Sequence, residues 1–184
     1  MSSIYGLCVT LYERGDALAE SERLILRDAL REQTTRMRRL IEQLLDLSRF
    51  DVRGVQVSPL RVRLRPKIEE LVRAAVPAGK EPVEIIVPPE LEAAVDPVSL
   101  DRMLSNLIAN ALRHGEPPVT VKAAERDTHL RVSVEDRGQG VRREFVPSLF
   151  DRFTRDPGGR GHAKGSGLGL AIAQAYARDR KSVV

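Results

Sequence analysis

Tryptophan is absent from this sequence, aromatic residues make up only 4%, and Cys8 is the single cysteine. A lone cysteine excludes a disulfide framework. No apolar run reaches about eighteen residues, which excludes a membrane-spanning helix within this sequence. The scarcity of aromatic rings also disfavours a nucleic-acid-binding surface, because such surfaces stack bases on aromatic side chains.

The charges of the chain nearly cancel, with 30 Lys and Arg against 26 Asp and Glu and a net charge of +4. Basic residues alternate with acidic ones instead of forming one basic face, as the stretch Arg36, Arg38, Arg39, Glu42 and Asp46 illustrates. We therefore interpret the pI near 9.6 as an Arg-rich surface and predict no nucleic-acid partner. An apolar content of 42% indicates a folded protein.

The first part of the sequence predicts a helical hairpin. Residues 4–14 are an apolar helix candidate, and from Ser21 to Phe50 neither glycine nor proline interrupts the chain. The second segment carries a heptad seam with alternating spacings of four and three: Leu26, Leu30, Gln33, Met37, Leu40, Leu44 and Leu47. Such a hairpin cannot bury its seam alone, so we expect a second copy and a dimeric four-helix bundle. The alternative is a long helix packed on its own downstream domain.

The remainder predicts one α/β domain, which makes the fold class α+β: a helical hairpin followed by an α/β sandwich. We expect one mixed sheet with helices on one face. The predicted helices are residues 64–75, 97–114 and 168–178, and the predicted strands are 83–87, 93–95, 120–123 and 130–135. The predicted domain bounds are 1–51 for the hairpin, 52–60 for a linker, 61–178 for the α/β domain and 179–184 for a tail.

Two polar motifs of the α/β domain are candidates for ligand chemistry. Asn106 and Asn110 are four residues apart and so share one face of a predicted helix. Paired carboxamides suit a hydrated Mg²⁺ and phosphate oxygens, although ordinary surface hydrogen bonding explains them as well. Asp136 follows a predicted strand and precedes Gly138 and Gly140. Its carboxylate could accept a hydrogen bond from a purine amine, or the motif is an ordinary turn.

A third motif, Gly165-Ser166-Gly167-Leu168-Gly169, leads into the last predicted helix. Gly-rich backbone at a helix start offers free N–H groups to phosphate. The motif is neither a Walker A loop nor a Rossmann fingerprint, because the Gly-Lys-Ser/Thr and the directly preceding strand are missing. A flexible hinge is the alternative for 155–164. Phe150 and Phe153 lie just upstream, and we expect at least one ring to anchor the core.

Taken in order, these segments resemble the N, G1, F and G2 boxes of bacterial sensor histidine kinases: Asn106 and Asn110, then Asp136, Gly138 and Gly140, then Phe150 and Phe153, then Gly165, Gly167 and Gly169. The hairpin resembles that family's dimerisation and phosphotransfer domain, and the second domain its Bergerat-type ATP-binding domain. The resemblance implies a kinase that moves the γ-phosphoryl group of ATP to a histidine and then to a response-regulator aspartate.

The resemblance also implies roles for residues on the predicted helix 97–114. Asn110 would be the Mg²⁺ ligand, Asn106 would help to bind phosphate, and Arg113 would face the phosphates. His114 stands where the family usually has tyrosine, so it would stack on adenine, or else it is an exposed histidine at a helix end. Asp136 would read the adenine base.

The Gly-rich segment would hold the triphosphate of ATP, through Gly165, Ser166, Gly167, Leu168 and Gly169. Residues 155–164 would be a mobile lid, in which Arg160 or Lys164 either reaches a phosphate or is a solvated charge. The implied cofactors are ATP and Mg²⁺. The implied partners are a second copy bound through the hairpin and the receiver domain of a response regulator.

The family's phospho-acceptor motif, His-Glu/Asp-x-x-Arg-Thr-Pro, is expected just upstream of Met1. The three histidines, His114, His129 and His162, all lie in the predicted α/β domain, so we expect no autophosphorylation by this chain alone. The family normally continues past the last helix with further strands. We therefore predict that 179–184, whose sequence is what a sequencing adapter would encode, is a non-native tail.

The resemblance implies a cytoplasmic location for this part of a membrane-anchored parent protein. Two other functions stay open. One is a non-catalytic module that dimerises or docks a response regulator through the hairpin. The other is a related Bergerat-fold ATPase, which would usually carry a catalytic glutamate at the position of Asn106.

Overall fold

The computed structural model describes residues 4–53, 58–76, 83–126, 129–154 and 166–178. The chain divides into two compact units, Met1–Ser48 and Arg49–Val184. No helix in the described ranges is both long enough and apolar enough to cross a membrane.

The first unit contains helix α1 (Ile4–Arg14) and most of helix α2 (Glu20–Arg53). The α1 helix ends in a turn in which the Ala17 N–H donates to the Arg14 carbonyl at 2.9 Å. The α2 helix begins where Glu22 Oε2 accepts the Ala19 N–H at 2.9 Å, which is half of a capping box. In a single chain Met37 and Leu44 of the predicted seam are 53% and 50% exposed.

The second unit alternates strands and helices. Its elements are β1 (Leu60–Arg63), α3 (Leu64–Ala75), β2 (Glu84–Ile86), β3 (Glu92–Val95), α4 (Pro97–His114), β4 (Thr120–Arg126), β5 (His129–Glu135), a short 3₁₀ helix (Val146–Ser148) and α5 (Gly169–Arg178). The bounds of α3 and α4 agree with the prediction, and α5 begins one residue later than predicted. The α2 helix runs to Arg53, so the predicted linker at 52–60 is helical at its start and joins β1 at its end.

The strands form two sheets among the described residues, and the expected single mixed sheet is wrong there. One sheet pairs β1 with β3 in antiparallel register, with Leu60 opposite Val95. The other has the order β2-β4-β5, with β2 parallel to β4 and β4 antiparallel to β5. The difference arises because β1, where the sequence predicted no strand, takes β3 as its partner.

The core of the second unit lies between α3, α4 and the inner face of the three-stranded sheet. Apolar residues recur at helical spacing in both helices, and the side chains of Leu64, Ile68, Ile108 and Val121 are completely buried. Each such side chain contributes about 1.5–3 kcal/mol to folding. The core therefore holds α4 firmly against the sheet.

Both ends of α4 are fixed by hydrogen bonds. Asp96 caps the start, where its Oδ1 accepts the Ser99 N–H at 2.8 Å and its Oδ2 accepts the Ser58 N–H at 3.1 Å. Pro97 occupies the first turn, where its missing N–H costs nothing. At the other end the Gly115 N–H donates to the Ala111 carbonyl at 2.9 Å. The helix that bears the predicted asparagines is thus a rigid platform.

Candidate functional site

The predicted site residues lie in four places in the second unit. Asn106, Asn110, Arg113 and His114 are on α4, and Asp136, Gly138 and Gly140 follow β5. Phe150 and Phe153 follow the 3₁₀ helix, while Ser166, Gly167 and Leu168 precede α5 and Gly169 opens it. Gly165 and the predicted lid with Arg160 and Lys164 lie outside the described residues, as do residues 179–184.

The structure brings Asn106 to the start of α5. Its Nδ2 donates to the Arg102 carbonyl one turn earlier in α4, at 2.7 Å. Its Oδ1 is so near Gly169 that a Cβ atom added there would lie 3.1 Å from this oxygen. A glycine at 169 therefore lets the Gly-rich motif approach the asparagine closely.

Asn110 is half-buried one turn further along α4. Its side chain makes no hydrogen bond to any of the described residues, so both ends of its carboxamide are available. A neutral oxygen donor on a rigid helix fits Mg²⁺, which keeps most of its water and takes few protein ligands.

The turn Asp136-Arg137-Gly138 follows β5, and we call it the D-R-G turn. It packs against the C-terminal end of α4. A Cβ atom added to Gly115 would lie 2.3 Å from Cγ of Asp136, and one added to Gly138 would lie 3.1 Å from the Gly115 Cα. The Arg137 N–H donates to the Glu116 carbonyl at 2.9 Å. The turn and the helix end therefore meet through backbone atoms, with no space for a side chain between them.

The Asp136 carboxylate is exposed and held in one orientation, because its Oδ1 accepts the Gly138 N–H at 2.8 Å. Gly140, two residues after Gly138, has a φ of 70°, which a residue with a side chain adopts only with strain. A Cβ atom at Gly140 would meet nothing within 4 Å, so its backbone conformation alone requires glycine.

The phenylalanine segment is joined to the Gly-rich segment through backbone. The Phe153 N–H donates to the Gly167 carbonyl at 3.0 Å. Gly167 has a φ of 70°, and a Cβ atom on it would lie 2.7 Å from the Phe153 carbonyl carbon. We expected at least one of the two rings to anchor the core. Phe153 is 63% exposed and does not do so, whereas Phe150 is half-buried.

Leu168 and Ser166 have structural partners of their own. The Leu168 side chain is only 1% exposed, and its N–H donates to Ser166 Oγ at 3.2 Å. Leu168 can therefore meet a ligand only through its main chain.

The last turn of α4 carries positive charge at its helix end. Arg113 is exposed there. Partial burial lowers the pKa of His114, and the positive charge of Arg113 lowers it further. The neutral form of the imidazole is therefore favoured near neutral pH, which suits stacking on a base.

The outer face of the β2-β4-β5 sheet has an open groove that shares only Asp136 with the predicted site. The groove contains an ion pair between Lys122 Nζ and Glu135 Oε2 at 2.6 Å. This hydrogen bond from Lys122 lowers the pKa of Glu135. The groove has none of the asparagines or Gly-rich residues of the predicted site.

Gly115 is a residue of this site that we did not predict from the sequence. A glycine directly after a helix is usually explained as a helix terminator, and that is the signal the sequence offers. Its packing against Asp136 depends on how the ends of α4 and β5 meet, which no local pattern reveals.

Comparison with known proteins decides the family. The family HATPase_c, described as histidine kinase-, DNA gyrase B-, and HSP90-like ATPase, matches residues 95–182. A probable sensor histidine kinase HK of Mycobacterium tuberculosis is 39% identical over 150 residues, which cover 82% of this chain and 39% of that protein. The chain belongs to the sensor histidine kinase family. Residues 95–182 match the ATPase-type domain of the family.

Two solved structures share the fold. The Acinetobacter baumannii histidine kinase AdeS matches with a TM-score of 0.73 at 19% identity, covering 96% of this chain and 82% of that one. Full-length ShkA in complex with AMPPNP matches with a TM-score of 0.68 at 25% identity, covering 88% of this chain and 35% of that one. The predicted family and the predicted class, helices followed by an α/β sandwich, are confirmed.

The histidine kinase relatives are longer than this chain. The chain spans between about a quarter and two fifths of the length of the first curated relatives it matches, 26% and 39%. The predicted domain bounds and the roles of individual site residues stay predictions.

Proposed function

We propose that this chain binds Mg²⁺-ATP and is the kinase core of a two-component sensor, which transfers the γ-phosphoryl group to a histidine and then to a response-regulator aspartate. The observation that carries the proposal is the placement of two motifs along α4. The G2 glycine Gly169 meets α4 at Asn106, and the G1 aspartate Asp136 meets it at Gly115.

The distance between these two meeting points suits a nucleotide. Gly115 comes nine positions after Asn106, which corresponds to about 13.5 Å along the helix axis. A nucleoside triphosphate laid along α4 would have its base at Asp136 and its phosphates at the Gly-rich start of α5. The free N–H groups of a helix start favour phosphate there.

Individual residues have the following roles in this proposal. Asn110 is the protein ligand of Mg²⁺, and Asn106 stands next to the phosphates while bracing α5. Arg113 faces the phosphates and His114 stacks on adenine. Bound Mg²⁺ would neutralise phosphate charge during transfer. The protein itself positions the nucleotide and supplies the fixed dipoles around it.

The helical unit provides the dimer contact in this proposal. The α2 helix exposes large apolar side chains in the single chain, among them Met37, Ile41, Leu44 and Leu45, each between 46% and 55% exposed. Pairing with the same helix of a second copy would cover them, and the response regulator would dock on the resulting bundle. The parent protein would hold this part on the cytoplasmic side of a membrane.

Nucleotide titration of two variants tests the assignment. We expect wild-type protein to bind ATP more tightly with Mg²⁺ than without it, and Asn110→Ala to lose most of that Mg²⁺ dependence. Asp136→Asn should weaken the binding of ATP and strengthen the binding of inosine triphosphate, because a carboxamide can donate a hydrogen bond to the 6-oxo group. Isothermal titration calorimetry with each nucleotide, with and without Mg²⁺, measures both effects.

Ser105→Ala and Asp28→Asn are matched controls, since both residues are exposed and lie outside the proposed site. Each should bind ATP as the wild type does. Unchanged ATP affinity in both Asn110→Ala and Asp136→Asn would refute the site assignment. Failure of the wild type to bind ATP would refute the proposed function itself.

A further inference from the structure

Gly115 is in closer contact with Asp136 than any side chain would allow. A Cβ atom at position 115 would lie 2.3 Å from Asp136 Cγ and 2.6 Å from Asp136 Cβ. Van der Waals contact between carbon atoms requires about 3.5–4.0 Å, so a methyl group at 115 forces the aspartate side chain to move. The bare Cα of Gly115 therefore forms the surface against which the carboxylate rests.

The D-R-G turn also holds this carboxylate. The Gly138 N–H donates to Oδ1 of Asp136 at 2.8 Å, and the Arg137 N–H donates to the Glu116 carbonyl at 2.9 Å. A Cβ atom at Gly138 would lie 2.8 Å from that same Oδ1. The Asp136 side chain thus contacts two glycines, and its Oδ1 already accepts one hydrogen bond.

Because the Gly138 N–H holds Oδ1 of Asp136, the orientation of Oδ2 is fixed as well. Oδ2 of Asp136 has no hydrogen-bond partner among the described residues, whereas Oδ1 already accepts one hydrogen bond, so we expect Oδ2 to face a ligand. An ionised carboxylate accepts hydrogen bonds and cannot donate them. The 6-amino group of a purine can donate a hydrogen bond to such an oxygen. A 6-oxo group cannot, because it would place a second acceptor opposite the oxygen.

We propose that Gly115 is a positioning residue that sets base selectivity, because its missing side chain lets Asp136 present Oδ2 to a 6-aminopurine. This inference rests on the proposed function, which places the base at Asp136. Gly115 does not touch the base itself; it acts through the carboxylate.

The test is the ratio of the affinities of Gly115→Ala for ATP and for inosine triphosphate. A displaced carboxylate loses its hydrogen bond to the 6-amino group, and for a charged acceptor this weakens ATP binding by about tenfold to a hundredfold. Affinity for inosine triphosphate, which depends on the phosphates, should change little. The selectivity ratio of the wild type should therefore fall towards one in Gly115→Ala, whereas simple destabilisation would weaken both nucleotides equally.

Gly15→Ala is a matched control within the same chain. Gly15 also directly follows a helix, and its Cβ atom would lie 2.3 Å from the Leu11 carbonyl oxygen, much as that of Gly115 would lie 2.6 Å from the Ala111 oxygen. The two variants share the strain at a helix end, but only Gly115→Ala contacts Asp136. Gly15→Ala should keep the wild-type ratio.

Two further variants test whether Gly115 acts on ATP affinity through Asp136. In Asp136→Ala the carboxylate is gone, so adding Gly115→Ala should cost no further ATP affinity. Gly138→Ala brings its Cβ atom too close to Oδ1 of Asp136 and should also lower the ratio, which provides a second test if Gly115→Ala does not fold. A wild type that binds ATP selectively while Gly115→Ala or Gly138→Ala keeps its ratio would overturn this inference alone. A wild type that binds no ATP would overturn the proposed function and this inference together.

Discussion

Replacement of Asp96 should destabilise the fold, and the structure allows us to work out by how much. This residue is only 7% exposed, and its carboxylate joins two segments distant in sequence. One oxygen caps α4 through the Ser99 N–H, and the other accepts the Ser58 N–H just before β1. Replacement by alanine removes both acceptors and leaves the Ser99 N–H buried, since Ser99 is 2% exposed.

The two hydrogen bonds set the expected loss of stability for Asp96→Ala. Loss of a helix cap costs about 1 kcal/mol, and loss of a hydrogen bond to a charged acceptor costs about 1.5–3 kcal/mol. We therefore expect the free energy of unfolding to fall by about 2–4 kcal/mol. With a urea dependence of about 2 kcal/mol per molar, the unfolding midpoint should fall by about 1–2 M.

Tyr176 offers a signal for this measurement. The sequence has three tyrosines, and Tyr176 is the one in the second unit, where it is 4% exposed. Its near-ultraviolet circular dichroism during urea unfolding reports the packing of that unit. Asp96→Asn keeps an oxygen for Ser99 but turns an amide towards Ser58, so it should lose about half as much stability. A loss below about 0.5 kcal/mol for Asp96→Ala, the range of ordinary surface changes, would refute the reasoning.

Three further predictions concern the core and the titrating groups. Ile108→Ala should lower the free energy of unfolding by about 2–5 kcal/mol, because a completely buried side chain leaves a cavity; urea unfolding measures it, and a loss under about 1 kcal/mol would contradict this packing. The lowered pKa of His114 means that the folded state binds a proton less readily than the unfolded chain, so stability should decline as pH falls below about 6.5 and stop declining once pH has passed the folded-state pKa. Thermal unfolding of His114→Gln across this pH range should lack that part of the decline. Lys122→Met should raise the pKa of Glu135, which a carboxyl NMR titration measures; an unchanged titration would show that the ion pair does not persist in solution.

The helices of the second unit could be predicted from sequence because their signals are local. The start of α4 is marked by Asp96 and Pro97, and its apolar residues recur at helical spacing, so its bounds agree with the prediction. The β1 strand could not be predicted in the same way. It has four residues, three of them exposed, and its partner β3 lies about thirty residues later. Exposed short strands of this kind are specified by their partner, not by their own pattern.

Only part of the candidate site could likewise be predicted from the sequence. The motifs around Asn106, Asp136 and Gly167 could be found from residue types and order alone, and the family they indicated is confirmed. How the motifs meet could not be found in that way. The contact of Gly115 with Asp136 joins the end of a helix to the end of a strand, and the hydrogen bond from Phe153 to Gly167 joins two loops. Both depend on tertiary packing.

The strand register has a consequence for how this chain acquires its fold. Leu60 pairs with Val95, and Glu84 pairs with Thr120, so each sheet closes over more than thirty residues. Helices such as α1 and α2 make mainly contacts between near neighbours, which form fast, whereas pairings over long sequence separations form slowly. During synthesis the helical unit can therefore take shape early. The β1–β3 pair must wait until β3 has left the ribosome, and β2 has no partner until β4 has followed.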